Sequence, residues 1–276
     1  MRRLPSLLAI LIFWGVIPAF AATEIPFEFR DGLIWLKVQV GAQNPPTDFL
    51  FDSGASVSVI DVQVARRQGL SLGSAEAIRG VSGSSVAYPI RDIHAEAGGI
   101  ALPHTMLATD LSNPSAAIHH KISGLLGADF LAGRIVSIDY QARRLRLLSR
   151  EEGMANTGEW LPLAYRNGAP CVKVGVNGRS PEWMRLDTGC DSSLEWVTRG
   201  PAPGASATAT VALASGHAHN CLTEIQIGAR HRSGVPTGIH PQPMFPSEAG
   251  LIGNGLLSSF VVVIDTAGHR VLLADR

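Results

Sequence analysis

The sequence predicts an all-β protein built from two similar halves. Short runs of Val, Ile and Leu recur along the 276 residues, and 29 glycines and 17 prolines separate them. This pattern is typical of many short strands joined by tight turns. The same order of elements then occurs a second time, which indicates a duplicated domain. Hydrophobic residues make up 46% of the chain, which is enough for a globular core.

The charge balance argues against a polyanionic partner. Lys and Arg total 23, and Asp and Glu also total 23, so no excess positive charge is present to attract nucleic acid or an anionic membrane surface. We therefore expect no nucleic-acid partner. The nine histidines are scattered without a ligand motif, and the three cysteines lack a zinc-like spacing. We expect neither a metal nor a cofactor.

The N-terminal segment has the three parts of a secretory signal. Arg2 and Arg3 precede an apolar run over residues 4–20, and Ala-Phe-Ala at positions 19–21 places small residues at the cleavage site. We expect a signal peptide over residues 1–21, export to the periplasm or out of the cell, and no stable membrane partner. The alternative is an uncleaved anchor, although the run is shorter than the roughly 20 residues that a membrane-spanning helix needs.

Two long segments repeat in the same order. In the first half "IPFEFRDGLIWLKVQVG" leads to "LFDSGAS", and in the second "LPLAYRNGAPCVKVGVNG" leads to "MRLDTGCDSS". Downstream, "ISGLLGADFLAGRIVSIDYQARRLRLL" corresponds to "EAGLIGNGLLSSFVVVIDTAGHRVLL". Residues 151–159 between the copies are polar and contain glycine, as a linker would. We expect one domain over residues 22–150 and a second over residues 160–276, both within the usual size range.

One acid stands at the end of an apolar strand in each half. Asp52-Ser53-Gly54 and Asp187-Thr188-Gly189 resemble the Asp-Thr/Ser-Gly signatures of aspartic proteases of the pepsin and retropepsin type. Leu125-Leu126-Gly127 and Leu251-Ile252-Gly253 are similar to that family's hydrophobic-hydrophobic-glycine element. The resemblance implies two β-barrel lobes with a cleft between them, similar to retropepsin units fused in one chain.

The same resemblance implies an aspartic endopeptidase. Two carboxyl groups held a few ångströms apart cannot both ionise cheaply, so Asp52 and Asp187 would share a proton and activate a water molecule between them. The hydroxyls of Ser53 and Thr188 would bond across to the opposite loop. The substrate would be an extended peptide or protein segment, and a monomer would suffice because one chain supplies both acids. The alternative is a non-catalytic exported peptide-binding or regulatory protein on the same fold.

A hairpin is expected over residues 78–90, where glycines and serines lie between β-branched residues. By resemblance this hairpin occupies the place of the flap, and Tyr88 is the candidate flap tyrosine. The alternative is that Tyr88 forms a cross-strand aromatic pair. The equivalent segment of the second half, "TATVALASGHAHNCLTEIQIG", is expected to form a hairpin without this role.

The second acidic motif departs from the first. Cys190 stands at the position of Ala55, and because neither side chain carries a hydroxyl, the dyad should hold its shared proton to a higher pH than one flanked by serines. Asp191 stands at the position of Ser56 and is expected to face solvent or cap the backbone. The alternative is that its carboxylate points inward and raises the proton affinity of the two acids.

The three cysteines lie at positions 171, 190 and 221. Export would allow one disulfide and one free thiol, and the sequence does not choose among the three possible pairs. The alternative is that all three are small buried hydrophobic residues.

Overall fold

The computed structural model describes residues 23–80, 83–198, 206–207 and 219–275. The expected signal peptide over residues 1–21 lies outside this part of the chain. Nearly all of the regular structure is strand, which confirms the prediction of an all-β protein. Within the described ranges, no helix has both the length and the apolar character needed to cross a membrane.

The first half contains twelve strands, two short α-helices and one 3₁₀ helix. In chain order they are β1 (Glu24–Arg30), β2 (Leu33–Val40), β3 (Thr47–Phe51), β4 (Val59–Asp61), α1 (Val62–Arg67), β5 (Glu76–Gly80), β6 (Gly83–Ile90), β7 (Ala95–Ala97), β8 (Ile100–Ala101), β9 (Met106–Thr109), α2 (Ser112–Ala117), β10 (Gly124–Leu126), the 3₁₀ helix (Ala128–Leu131), β11 (Ile135–Asp139) and β12 (Arg144–Leu148).

The second half follows with the same kinds of element. They are α3 (Arg150–Ala155), β13 (Trp160–Pro162), β14 (Ala164–Arg166), β15 (Ala169–Val176), β16 (Glu182–Leu186), β17 (Leu194–Val197), β18 (Ser206–Ala207), β19 (His219–Ile227), β20 (Arg230–His240), β21 (Gly250–Ile252), α4 (Asn254–Leu257), β22 (Phe260–Asp265) and β23 (Arg270–Asp275). Strand β19 contains the described end of the segment for which a second hairpin was expected, and it pairs with β20.

The strand pairings of the first half recur in the second. Strand β10 lies parallel to β3 and antiparallel to β4, and β4 lies parallel to β9. In the same way β21 lies parallel to β16 and antiparallel to β17, and β17 lies parallel to β20. Strands β15, β16, β21, β17, β20 and β19 close into a barrel because β19 also pairs with β15. In the first half the pairing path runs from β2 through β3, β10, β4, β9 and β6 to β5, and β7 pairs separately with β2 and β8.

A shared antiparallel sheet joins the two halves. Its strand order is β13, β23, β22, β11, β12 and β1, so each half contributes three strands. The central pairing runs from Ile135 opposite Asp265 to Asp139 opposite Val261. Because these residues lie more than a hundred positions apart in sequence, this sheet fixes how the halves meet.

The predicted linker is partly helical. Residues 150–155 form α3, whose N-cap Ser149 accepts a hydrogen bond from the backbone N–H of Glu152, while the Glu152 carboxylate accepts one from the Ser149 backbone N–H. This reciprocal capping box satisfies two backbone donors at the helix start.

The strand before the first acid is buried on both faces. Phe49 and Phe51 point into the large core, and Leu50 packs on the other side with Trp35 and Ile122. Burial on both sides holds β3 firmly, because each large buried side chain contributes roughly 2 kcal/mol through its removal from water. The residue that follows this strand therefore has a well-defined position.

We predict that Gly124→Ala lowers the free energy of unfolding by about 1–3 kcal/mol because the interior would be overpacked. A Cβ atom at this position would overlap the ring of Phe49 and the carbonyl oxygen of Val59. Gly133→Ala is the control, since a Cβ there meets no atom within 4 Å although its φ is +70°, and left-handed backbone strain alone costs about 1 kcal/mol. Urea unfolding measures both, and an equal loss in the two variants would contradict the packing argument.

Candidate active site

The two acids occupy equivalent places at the ends of equivalent strands. Asp52 follows β3 and its backbone N–H donates to the carbonyl of Leu126 at 2.9 Å. Asp187 follows β16 and its backbone N–H donates to the carbonyl of Ile252, also at 2.9 Å. The structure brings the two carboxyl groups into hydrogen-bond contact with each other. They are 8% and 9% exposed, so the pair is almost withdrawn from solvent.

A glycine beside each acid permits this close approach. A Cβ atom at Gly54 would overlap the carboxyl group of Asp187, and one at Gly189 would overlap the carboxyl group of Asp52. No residue with a side chain could stand at either position without moving the acid of the other half.

Four hydrogen bonds cross between the two acidic loops. The Ser53 hydroxyl donates to the carbonyl of Leu186 at 2.7 Å and accepts from the backbone N–H of Thr188 at 3.1 Å. The Thr188 hydroxyl donates to the carbonyl of Phe51 at 2.7 Å and accepts from the backbone N–H of Ser53 at 2.9 Å. Both side chains are buried. The loops are therefore joined reciprocally, as the sequence resemblance implied.

The hairpin turns of each half reach across in the same reciprocal way. Gly32, between β1 and β2, lies against Asp191 of the second half, and Gly168, between β14 and β15, lies against Ser56 of the first. Both glycines have a positive φ, +73° and +77°, which favours glycine. Asp191, for which the sequence suggested a solvent-facing or capping role, thus stands at the contact between the halves.

Burial is the largest cause of the shifted pKa values in the pair. It raises the pKa of Asp52, while the backbone N–H groups of Ala55 and Gly54 oppose the rise by stabilising the ionised form. The pKa of Asp187 is raised well above its ordinary range, first by burial and then by repulsion from Asp52. The two acids therefore titrate as a coupled pair whose proton is held to a higher pH than that of an isolated carboxyl group.

The hydrogen bonds to the backbone distinguish the two acids. Asp52 Oδ1 accepts from the N–H groups of Gly54 at 3.0 Å and Ala55 at 2.9 Å. Among the described contacts, Asp187 Oδ1 accepts a backbone N–H only from Gly189, at 2.9 Å. Because donors to an ionised carboxylate lower its pKa, the extra donor favours the charged form of Asp52.

The structure places Tyr88 away from the hairpin turn. Strands β5 and β6 pair as the expected hairpin, with Gly80 opposite Gly83, and residues 81–82 between them lie outside the described part of the chain. Tyr88 lies near the far end of β6, opposite Ala108 of β9, and packs half-buried against the core. Its partner across the strands is an alanine, so it does not form the aromatic pair considered as the alternative.

The three cysteines are free and buried in the structure. Cys190, beside Asp187, has its sulfur 3.0 Å from the Ser192 hydroxyl. Burial and the neighbouring Asp187 raise the pKa of the Cys190 thiol well above its usual range. Burial raises the pKa of Cys171 to about 12. These two thiols are therefore neutral and unreactive at physiological pH.

Sequence reasoning missed a buried ion pair next to the acids. Arg185 Nε and Nη2 donate to the two carboxylate oxygens of Glu248 at 2.8 and 2.7 Å, and Arg185 Nη1 donates to the carbonyl of Gly54. The available signal was a charge within an otherwise apolar strand: the aligned residue of the first half is Leu50, and the residue aligned with Glu248 is Ile122.

Comparison with known families agrees with the sequence resemblance over part of the chain. Residues 36–130 match the model of a family described as aspartyl protease. No curated protein matches the chain. The matched stretch contains Asp52 and the Leu125-Leu126-Gly127 element, and it supports an aspartyl protease relationship of the retropepsin type with an all-β, retropepsin-like fold. Asp187 lies beyond the matched residues.

We predict that Thr188→Val lowers the free energy of unfolding by about 2–4 kcal/mol, because two buried backbone groups would lose their partners. Those groups are the carbonyl of Phe51 and the N–H of Ser53. Thr188→Ser keeps the hydroxyl and removes one methyl group, so it should cost about 1 kcal/mol. Denaturant unfolding of both variants measures the difference, and similar losses would show that the hydroxyl does not join the loops.

We predict that Asp187→Asn becomes more stable relative to the unmodified protein as the pH rises. A carboxyl group whose pKa is raised by folding contributes stability below its unfolded pKa of 3.8, and this contribution is lost as the pH rises through the folded value. The amide cannot ionise and escapes this loss, which is about 1.4 kcal/mol for each unit of pKa shift.

The measurement for this variant is urea unfolding of both proteins at several values from about pH 4 to about pH 8. The difference between the two free energies of unfolding should grow with pH. A difference that stays constant would mean that burial does not raise the pKa of Asp187.

Proposed function

We propose that the protein is an aspartic endopeptidase that hydrolyses peptide bonds with a water molecule activated between Asp52 and Asp187. The single observation that carries this proposal is the buried contact between the two carboxyl groups, each supplied by an equivalent loop of a duplicated fold. Two carboxyl groups with unequal proton affinities provide a base and an acid at the same pH.

The unequal environments assign the starting roles. Asp52, whose carboxylate accepts two backbone N–H hydrogen bonds, is the ionised partner. It takes a proton from the water molecule while the water oxygen bonds to the carbonyl carbon of the peptide. Asp187 starts protonated and gives its proton to the carbonyl oxygen, forming a neutral tetrahedral diol. As the C–N bond breaks, Asp52 passes its proton to the leaving nitrogen, and Asp187 recovers a proton from a diol hydroxyl. The dyad then returns to its starting state.

We further propose a pepsin-like arrangement of two lobes, over residues 22–150 and 160–276, with the dyad in a cleft between them. The repeated strand pairings, the shared sheet and the reciprocal loop contacts support this arrangement. The monomer would be the active form because one chain carries both acids. An exported location, periplasmic or secreted, follows from the N-terminal sequence.

The substrate class proposed here is an extended peptide or an extended segment of a protein. The β5–β6 hairpin supports this class, since a hairpin projecting from a sheet can pair its backbone with a strand-like ligand.

The test is cleavage of a mixed peptide library by the purified chain from residue 22 onward, over about pH 3 to pH 8. Asp52→Asn and Asp187→Asn should each abolish cleavage, with kcat reduced by at least about a thousandfold, because an amide can act neither as the base nor as the acid. Peptide binding should persist in both variants.

Asp92→Asn is the matched control. Asp92 is exposed and has a φ of +56°, a conformation that asparagine also tolerates, so cleavage should be unchanged. If the unmodified protein binds extended peptides at every pH but never cleaves them, the function is that of a peptide-binding or regulatory protein, and the enzymatic proposal is wrong.

A further inference from the structure

We propose that the buried Arg185–Glu248 pair is a positioning device that makes the two acidic loops unequal and thereby selects Asp52 as the ionised partner. The inference deepens the proposed function and rests on it. The pair lies outside the dyad itself, since Arg185 contacts the first loop through the backbone of Gly54 and not through either carboxyl group.

The pair is built into the interior. The side chains of Arg185 and Glu248 are 2% and 1% exposed, and they form two parallel N–H···O bonds. Asn167 donates a further hydrogen bond to Glu248 at 2.8 Å, and the Arg185 guanidinium stacks on the ring of Phe245 at 3.4 Å. A charge pair so deeply buried costs desolvation energy, and an apolar pair of similar volume would often be as stable. Its presence is therefore poorly explained by stability alone.

The first half of the chain shows the apolar solution at the same positions. Leu50 is adjacent to Leu125 across the β3–β10 pairing, and Arg185 is adjacent to Leu251 across the β16–β21 pairing. Leu50 and Ile122 pack in one apolar cluster together with Trp35.

The strand neighbours complete the comparison. Trp35 pairs with Leu50 in the first half, and Cys171 pairs with Arg185 in the second. The smaller cysteine leaves room beside the strand that the tryptophan fills in the first half. The buried charge pair is therefore present in the second half and replaced by apolar residues in the first. As a result, the two acidic loops have different surroundings.

The influence of Arg185 on Asp52 passes through one peptide unit. The carbonyl of Gly54 accepts a hydrogen bond from Arg185 Nη1, and the N–H of the same peptide, on Ala55, donates to Asp52 Oδ1 at 2.9 Å. A charged donor on the carbonyl polarises the amide and strengthens the N–H as a donor, because hydrogen bonds in series reinforce one another. The Leu50 side chain in the first half carries no donor for such a bond to the carbonyl of Gly189.

The other charges near this path are few. Asp52 and Asp187 both feel the positive charge of Arg185, and the two thiols of Cys171 and Cys190 nearby are neutral. The positive charge of Arg185 lowers the pKa of both acids and does not by itself favour Asp52. The hydrogen bond through the Gly54–Ala55 peptide reaches only Asp52, so it is the contribution that distinguishes the two acids.

The test is the double variant Arg185→Leu/Glu248→Ile, which places the residues of the first half at the equivalent positions of the second. Two readouts are taken: the pH dependence of kcat/KM for peptide cleavage, and titration of the Asp carboxyl carbons by ¹³C NMR, assigned with Asp52→Asn and Asp187→Asn. The acid limb of the rate profile and the lower apparent pKa of the dyad should both rise by about one unit. At pH values below the acid limbs of both proteins, kcat/KM of the double variant should be about tenfold lower than that of the unmodified protein.

A folded double variant with an unchanged acid limb and unchanged carboxyl titration would overturn the proposal. If the unmodified protein cleaves no peptide but the NMR titration shifts as expected, the proposed enzymatic function fails while the inference about the pair stands. If the unmodified protein cleaves peptides but the double variant shows no shift in the acid limb or the carboxyl titration, only the inference about the Arg185–Glu248 pair is wrong.

Arg185→Lys is the second variant. Lysine keeps the positive charge, but it cannot bond both Glu248 oxygens and the Gly54 carbonyl with one planar fork. The acid limb should rise by less than in the double variant. If neither variant folds, the pair serves the fold and not the choice of base, and this result also overturns the proposal.

Discussion

The four hydrogen bonds between the acidic loops are the constraint on which the site depends. Two carboxyl groups repel each other when both are ionised, and burial makes that repulsion stronger. A proton shared between the acids removes this repulsion, but it does not bring the two loops that carry them together. The hydroxyls of Ser53 and Thr188 hold the two loops together, because each one donates a hydrogen bond to a backbone carbonyl of the opposite loop and accepts one from a backbone N–H there. The rest of the fold serves to bring these two loops to the same place: the shared sheet joins the halves, and the glycines at positions 54 and 189 leave the space.

Duplication explains much of what the sequence could predict. The repeated segments place an acid at the end of an equivalent apolar strand in each copy, and matching strand pairings follow from matching hydrophobic patterns, because register is set by which residues must be buried. The all-β class, the two acids and the hydroxyls that cross between them were accessible in this way. The contacts of Gly32 and Gly168 with the opposite half follow the same repeat, although the sequence alone does not show that those turns cross over.

Other features were not predicted, either because they depend on pairings between distant residues or because a local signal was outweighed by another interpretation. The β11–β22 pairing joins segments with ordinary strand patterns, so its partners could not be read from either segment. Helix α3 arose in a stretch interpreted as a linker, because its capping box outweighed the glycine within it. The position of Tyr88 near the far end of β6, half-buried against the core, depends on the length of that strand, which its neighbours in sequence do not show. Arg185 stood out only against its aligned leucine, and its partner Glu248 lies 63 residues away.

The two halves differ where a symmetric site would be least useful. If both acidic loops were identical, either acid could hold the proton, and the reaction would start from two equivalent states with no fixed base. A chain that carries both copies can change one without the other. Here the first copy has an apolar cluster around Leu50, whereas the second has the Arg185–Glu248 pair at the equivalent positions. The guanidinium nitrogen Nη1 of Arg185, which does not bond to Glu248, donates to the carbonyl of Gly54 in the first loop. Such a buried pair adds little to stability compared with apolar residues. We propose that the pair instead makes the two carboxyl groups unequal, so that Asp52 is the ionised one.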